Sequence, residues 1–250
     1  MTALIIGDGL TKDFLSLAQP FVEARNNLGR AEIDRLLGKG KGYGEGPLPS
    51  FLHALEAAAG SKQEAPDLVL LQGESPLPEI LQEAVGSARV IESDPDRIPQ
   101  SELEDVILKV GGSGVDLRIL VIGCHTERRI LALTSYLKKI LGISEVAVSP
   151  HLVGSATREA HLAALRHNFP SIGVKVLLDL AEAASFVGLD NKPLSLPDCR
   201  PPEIGPAVTR DSLTDSQRRI LELLCLNWTR AELRPLAGGF SGSLLLLANG

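Results

Sequence analysis

The chain has 250 residues, 44% of them hydrophobic and 22% charged, with a net charge of -6, enough to bury a full core as one large domain or as one domain with an appendage. An acidic balance without a sustained basic run speaks against nucleic acid as a partner. With neither an apolar run of about 18 residues nor a basic segment leading into an apolar core, no membrane span or signal peptide is expected, and the cytoplasm is the expected compartment.

The first strand is expected at Ala3-Leu4-Ile5-Ile6, opening through Gly7-Asp8-Gly9 into a helix from about Thr11. Asp8 and Asp13 then stand at or just beyond the strand's C-terminal end. Each reads either as a helix-capping carboxylate or as one that holds a ligand or works in catalysis. A helix over Arg30 to Leu37 is followed by the glycine-rich stretch Gly38 to Gly46, which lacks Walker spacing and reads as a surface loop. A helix from Pro49 to Ala59, a buried strand over Leu68 to Leu71, a helix over Leu77 to Val85 and a short strand over Arg89 to Ile91 come next. Ser101 and Glu104 have capping-box spacing and predict the start of a helix that reaches Val110.

The centre of the pattern is Leu117 to Leu141. A short β-branched run, Leu117 to Ile122, is bounded by Gly123 and reads as a central parallel strand. After the turn Gly123-Cys124-His125-Thr126, apolar residues recur at spacings of three and four from Ile130 to Leu141, which is one face of a helix on the sheet. A strand at Val146 to Val148, a helix over Thr157 to His167, a strand at Val174 to Leu178 and a helix near Ala181 to Val187 complete an alternating series. That rhythm predicts a doubly wound α/β domain with about six mostly parallel strands and helices on both faces. Ligands of such sheets bind at strand C-termini, which puts the expected site at the end of the central strand. Cys124, Cys199 and Cys225 stand in no disulfide or metal-ligand spacing and read as small buried residues. No metal or other cofactor is implied.

The run VIGCHTERRILAL with LGISEVAVS after it, and the opening ALIIGDGLTKDF, resemble the isochorismatase-like cysteine hydrolases, which include nicotinamidases. Gly123, Thr126 and Ile130 are in register with that family's G-V-x-T-x-x-C-V turn, and Asp13 and Phe14 with the end of its D-x-Q-x-D-F motif. The resemblance spans about residues 1 to 190. It implies the isochorismatase-like fold, oligomerisation and, in active members, a triad of aspartate, lysine and cysteine with a non-proline cis peptide, here expected at Cys124-His125. The position of the family's cysteine is Arg129 in this chain. Its lysine finds no match in Glu92 to Arg97, where Arg97 is the nearest cation, and its aspartate falls at Gly9, one place after Asp8. A nicotinamidase-type metal site finds no matching spacing either.

Arg128 and Arg129 in the first turn of a helix oppose its dipole, so a compensating group is expected. Asp8, Asp13, Glu92 or Asp94 could pair with Arg129, or the guanidinium could hold a small anionic ligand together with Asp8, Asp13, His125 and Thr126. Solvation of both arginines is the simplest alternative. Cys124 beside His125 leaves room for hydrolysis by a non-standard site, although neighbours at a strand end usually point to opposite faces.

Beyond Leu189, five prolines between Pro193 and Pro206 mark a linker over about 191–212. Over 213–250, Thr214 and Gln217 have capping-box spacing before a helix, and two short apolar segments flank Gly238-Gly239-Phe240-Ser241-Gly242. That last stretch weakly resembles the first hairpin of kinase-like phosphotransferases and suggests the start of a second domain. Its continuous apolar run, Leu244 to Leu247, is expected to be covered, for instance in a homodimer. Three functions follow as expectations: a ligand-binding, regulatory or assembly module lacking the triad; an active hydrolase of a small amide or enol ether; or a dimerisation domain for a kinase-like partner.

Overall fold

The computed structural model describes residues 2–11, 15, 28, 30–38, 44–60, 65–94, 97–112, 117–189, 203–204, 213–214, 217–218, 221, 230–235 and 246–249. The expected helix at Thr11 with Asp13 and Phe14, most of the glycine-rich loop, most of the proline-rich stretch, Cys199, Cys225 and the Gly238–Gly242 turn lie outside the described residues. The chain divides into two units, Met1–Cys199 and Arg200–Gly250.

Six strands build the first unit: β1 (Thr2–Asp8), β2 (Asp67–Gln72), β3 (Arg89–Glu92), β4 (Leu117–Cys124), β5 (Glu145–Gly154) and β6 (Lys175–Val176). They form one all-parallel sheet in the order β3-β2-β1-β4-β5-β6, the doubly wound α/β architecture expected. The chain winds one way from β1 to β3 and the other way from β4 to β6, so the order reverses between β1 and β4, the point at which sheets of this class form a crevice at the strand C-termini.

Burial on both faces explains the apolar runs of β1 and β4. Ile5, Leu120, Ile122 and Cys124 share one core with α1 (Arg30–Leu37), α2 (Pro47–Ala59), α3 (79–85) and α7 (Leu180–Phe186). By strand alternation Leu4, Ile6, Ile119 and Val121, also buried, face the other side. There lie α4 (Gln100–Gly111), α5 (126–140) and α6 (158–171).

Several boundaries differ from the sequence expectation, each for a local reason. The helix expected from Leu77 begins at Glu79, because Pro78 stands before it in extended backbone. Ser101 does not cap α4: Pro99 precedes the first helical residue, and Glu104 instead accepts a hydrogen bond from the Tyr136 hydroxyl at 2.5 Å, tying α4 to α5. β4 runs two residues past Ile122, through Gly123 to Cys124. β5 is ten residues long where three were expected. It loses register with β4 between the Val121–Val148 and Gly123–Val153 pairs, so Ser149 to Leu152 bulge from the ladder.

In the second unit β7 (Glu203–Ile204) lies parallel to β8 (Arg230–Pro235), and β9 (Leu246–Asn249) lies antiparallel to β8. The capping box forms: the Thr214 N–H donates to Gln217 Oε1 at 2.9 Å and the Gln217 N–H to Thr214 Oγ1 at 3.3 Å.

Two glycines set how closely β1 and β4 approach at the crevice. Gly123 has φ +120°, and a Cβ there would stand 1.8 Å from the Asp8 carbonyl oxygen; Gly9 has φ +68°, and its Cβ would stand 1.9 Å from the Cys124 carbonyl oxygen. Both contacts are with backbone, which cannot swing aside. Gly123→Ala is therefore expected to destabilise the domain by about 3 kcal/mol or more. A urea titration reads this as a lower midpoint, whereas Gly142→Ala, with φ +67° but nothing within 4 Å, is expected to cost only about 1 kcal/mol.

Candidate functional site

The crevice is built from the ends of β1, β3, β4 and β5 and the first turn of α5. The chain crosses from β4 into α5 through His125, whose extended backbone (φ -95°, ψ 140°) precedes the helix and whose carbonyl accepts from the N–H groups of Arg128 at 3.1 Å and Ile130 at 3.2 Å. The Cys124-His125 peptide is cis, at the bond to which the resemblance pointed. Thr126 to Ile130 is wound as a π-helical turn.

Arg129 projects from that turn onto Asp8. Its Nε donates to Asp8 Oδ1 at 2.8 Å, and its Nη2 lies 2.8 Å from the same oxygen and 3.3 Å from Ser93 Oγ. Nη1 donates to the Asp94 carbonyl at 3.1 Å. The guanidinium thus gathers β1 and the end of β3 under α5. The Asp8 side chain is 2% exposed and that of Arg129 16%. Among the four carboxylates considered, Asp8 is the described partner, while Asp94 contributes through its main chain. Arg128 is exposed, with Glu127 at 4.0 Å, so solvation accounts for that arginine and not for its neighbour.

The remaining residues expected at the site separate. Cys124 lies fully buried on the α1 and α2 face of the sheet, within the core. Burial pushes its thiol well up, with the Arg35 cation opposing and the Glu32 anion adding to the effect. Cys124 therefore stays in the unreactive thiol form at neutral pH. His125 is buried. Thr126 is also buried, its Oγ1 3.0 Å from His161 Nδ1. Arg97 stays exposed beyond β3 and takes part through its backbone, its N–H donating to the Asp94 carbonyl at 3.1 Å and its carbonyl accepting from Ser93 Oγ at 3.3 Å. The described residues hold no group of three His, Cys, Asp or Glu that could ligate a metal ion, so they do not fit a nicotinamidase-type metal centre.

Several polar residues near these strand ends were not singled out from sequence. Ser155 donates to Glu127. Glu32 and Arg35 form a nearly buried pair at 2.6 Å on α1, and Arg35 donates to the carbonyls of Pro150 and, at 2.8 Å, Val153. His151 and His161 are buried nearby. The spacing of Glu32 and Arg35, three apart on a predicted helix, was the one available signal.

Burial holds the Asp8 carboxyl above its ordinary range, with Arg129 pulling it back only in part. A carboxyl whose folded-state pKa is raised contributes fully at acid pH, and that contribution is lost as pH rises through the folded value. Arg129→Met removes the opposing cation and leaves an unpaired buried carboxylate, at an expected cost of about 3–5 kcal/mol near neutral pH. Because protonation of Asp8 relieves that cost, the gap between variant and wild type should shrink as pH falls towards about 4. Urea midpoints across pH check this, and a gap that widens in acid would contradict it.

No protein-family model matches the chain, and no curated protein sequence does. Solved structures resemble it in fold. Two structures of Bacillus subtilis PncA, described as a nicotinamidase and nicotinamidase/pyrazinamidase, each align with a TM-score of 0.50 at 14% identity, covering 70% of this chain and 99% of theirs. YcaC from Pseudomonas aeruginosa aligns with a TM-score of 0.48 at 16% identity, covering 70% of this chain and 75% of its own. With its six-stranded parallel sheet and the PncA alignments, the first unit has the isochorismatase-like fold.

Proposed function

We propose that the first unit is a non-hydrolytic module of isochorismatase-like fold, with a regulatory or assembly role, in which an arginine closes the crevice that holds a nucleophile in active enzymes of this fold. The observation that carries this reading is the Arg129 guanidinium seated on Asp8, Ser93 and the Asp94 carbonyl.

Cysteine hydrolysis needs a thiolate at the helix N-terminus, where N–H groups and the dipole stabilise it, and a neighbouring group to take and return a proton. At that position stands a guanidinium cation, which is neither a nucleophile nor a base. The carboxylate best placed for proton transfer, Asp8, is occupied by that same cation. Cys124 cannot substitute from where it lies, since it is packed into the opposite face of the sheet. The engagement of Arg129 by Asp8, Ser93 and Asp94 also favours a regulatory or assembly role over capture of a small anion, because the crevice already supplies the cation's acceptors.

Two measurements test this reading together. The purified chain is expected to release no ammonia from nicotinamide or pyrazinamide above the buffer rate. Peptide mass spectrometry after iodoacetamide treatment is expected to find Cys124 unmodified until the protein is denatured. Ammonia release that disappears in Cys124→Ala would instead establish a hydrolase with a non-standard site.

A further inference from the structure

The bulge of β5 is held from two sides, by an arginine on α1 and by an imidazole of its own. From α1, Arg35 donates to the carbonyls of Pro150 and Val153 on either side of His151, with Glu32 as its counter-charge at 2.6 Å. From the bulge itself, His151 Nε2 lies 2.9 Å from the Leu178 carbonyl just before α7. His161, on α6, places its Nδ1 against Thr126 Oγ1 at 3.0 Å, and its Nε2 is buried without a hydrogen-bond partner among the described residues. The two imidazoles are 5% and 2% exposed. Both feel the Arg35 cation.

We propose that α1 is an acid-released strap: protonation of His151 and His161 beside the Arg35 guanidinium drives α1 off the β5 bulge while the sheet stays folded. Among the described residues, the surrounding charges are too few to hold the protonated state. Facing this region are Glu32 and Arg35 from α1, Asp179 at the start of α7, Arg158 on α6, and Glu127 and Arg129 from the first turn of α5. Arg35 is bonded to Glu32, Arg129 to Asp8 and Glu127 to Ser155. Asp179 accepts from the Ala181 N–H at 2.8 Å and favours charge on His151 only weakly. Among the described residues, two new imidazolium charges would then share a buried setting with Arg35 against chiefly one carboxylate, Glu32.

Burial, followed by the Arg35 cation, lowers the His151 imidazole from 6.5 to about 4 and lowers His161 well below its ordinary value for the same reasons. A base depressed in the closed state binds protons better when exposed, so the closed state is fully favoured above the open-state value and loses ground as pH falls towards the folded one. The α1 strap is the element to yield. It is eight residues long, too short to be helical unaided, and Arg35 is its polar tether to the bulge. Its apolar anchor is a close fit at Gly154, where an added Cβ would come 2.5 Å from Leu36 Cδ1. Release would uncover the end of β4 and with it Cys124, which shares the core with Leu36 and Leu37. The strap does not depend on whether the crevice is hydrolytic.

Hydrogen exchange read by mass spectrometry, corrected for intrinsic rates, tests this on the full chain between about pH 7.5 and 4.5. Peptides covering residues 30–37 are expected to exchange tenfold or more faster at the acid end, about the factor expected per pKa unit recovered, while peptides covering 117–124 stay protected. In His151→Gln with His161→Asn, whose amides keep a donor near each partner without gaining charge, the acceleration should vanish. His151→Gln alone, expected to reduce it, serves if the double variant does not fold. Unchanged protection of 30–37, simultaneous loss in 30–37 and 117–124, or equal acid release in the variants would each overturn the proposal.

Discussion

A guanidinium in the first turn of a helix stands against the helix dipole, and in this protein one buried carboxylate compensates for it. Asp8 reaches Arg129 because β1 and β4 are adjacent at the point where the strand order reverses, and because Gly9 and Gly123 let the two strand ends approach without a side chain between them. The interaction in turn recruits Ser93 and the Asp94 carbonyl, so the end of β3 is drawn under the same helix. An arrangement of this kind fills a crevice with internal acceptors and donors and leaves less chemistry available to an incoming substrate.

Most of the fold was legible in the sequence. The apolar runs of β1, β2 and β4 and the three- and four-residue spacing of α5 are direct consequences of burial on two faces, and the α1 boundaries match because Arg30 to Leu37 sits between clear breaks. What local pattern hid was decided by tertiary contact. The capping-box spacing of Ser101 and Glu104 lost to Pro99 and to the Tyr136 hydroxyl. The full length of β5 was obscured because Pro150 and His151 look like a break until Arg35, more than a hundred residues away in sequence, is seen to hold their bulge.

The site was legible in part for the same reason. That Arg129 required a compensating acid followed from its place in the helix, but four acids qualified, and the choice of Asp8 depends on which side of the sheet each strand-end residue faces. The expectation of a packed Cys124 agrees with its place in the core. The buried polar cluster around Arg35, His151 and His161 was not legible, because each residue is isolated in sequence and the cluster exists only once α1, β5 and α6 are assembled. The two clusters lie at neighbouring strand ends yet differ in kind: one balances charge for charge, while the other holds two neutral imidazoles beside a cation.

The central claim is that the Arg129 guanidinium is locked against Asp8 and not solvated. Nitrogen-15 NMR of the arginine Nε–H groups addresses it directly, because a donor held in a buried charge-assisted hydrogen bond exchanges slowly with water. The account predicts a slowly exchanging Arg129 Nε–H whose signal moves on Asp8→Asn, against rapid exchange for exposed Arg128. Equally rapid exchange of both would mean that the crevice is open and would contradict the account.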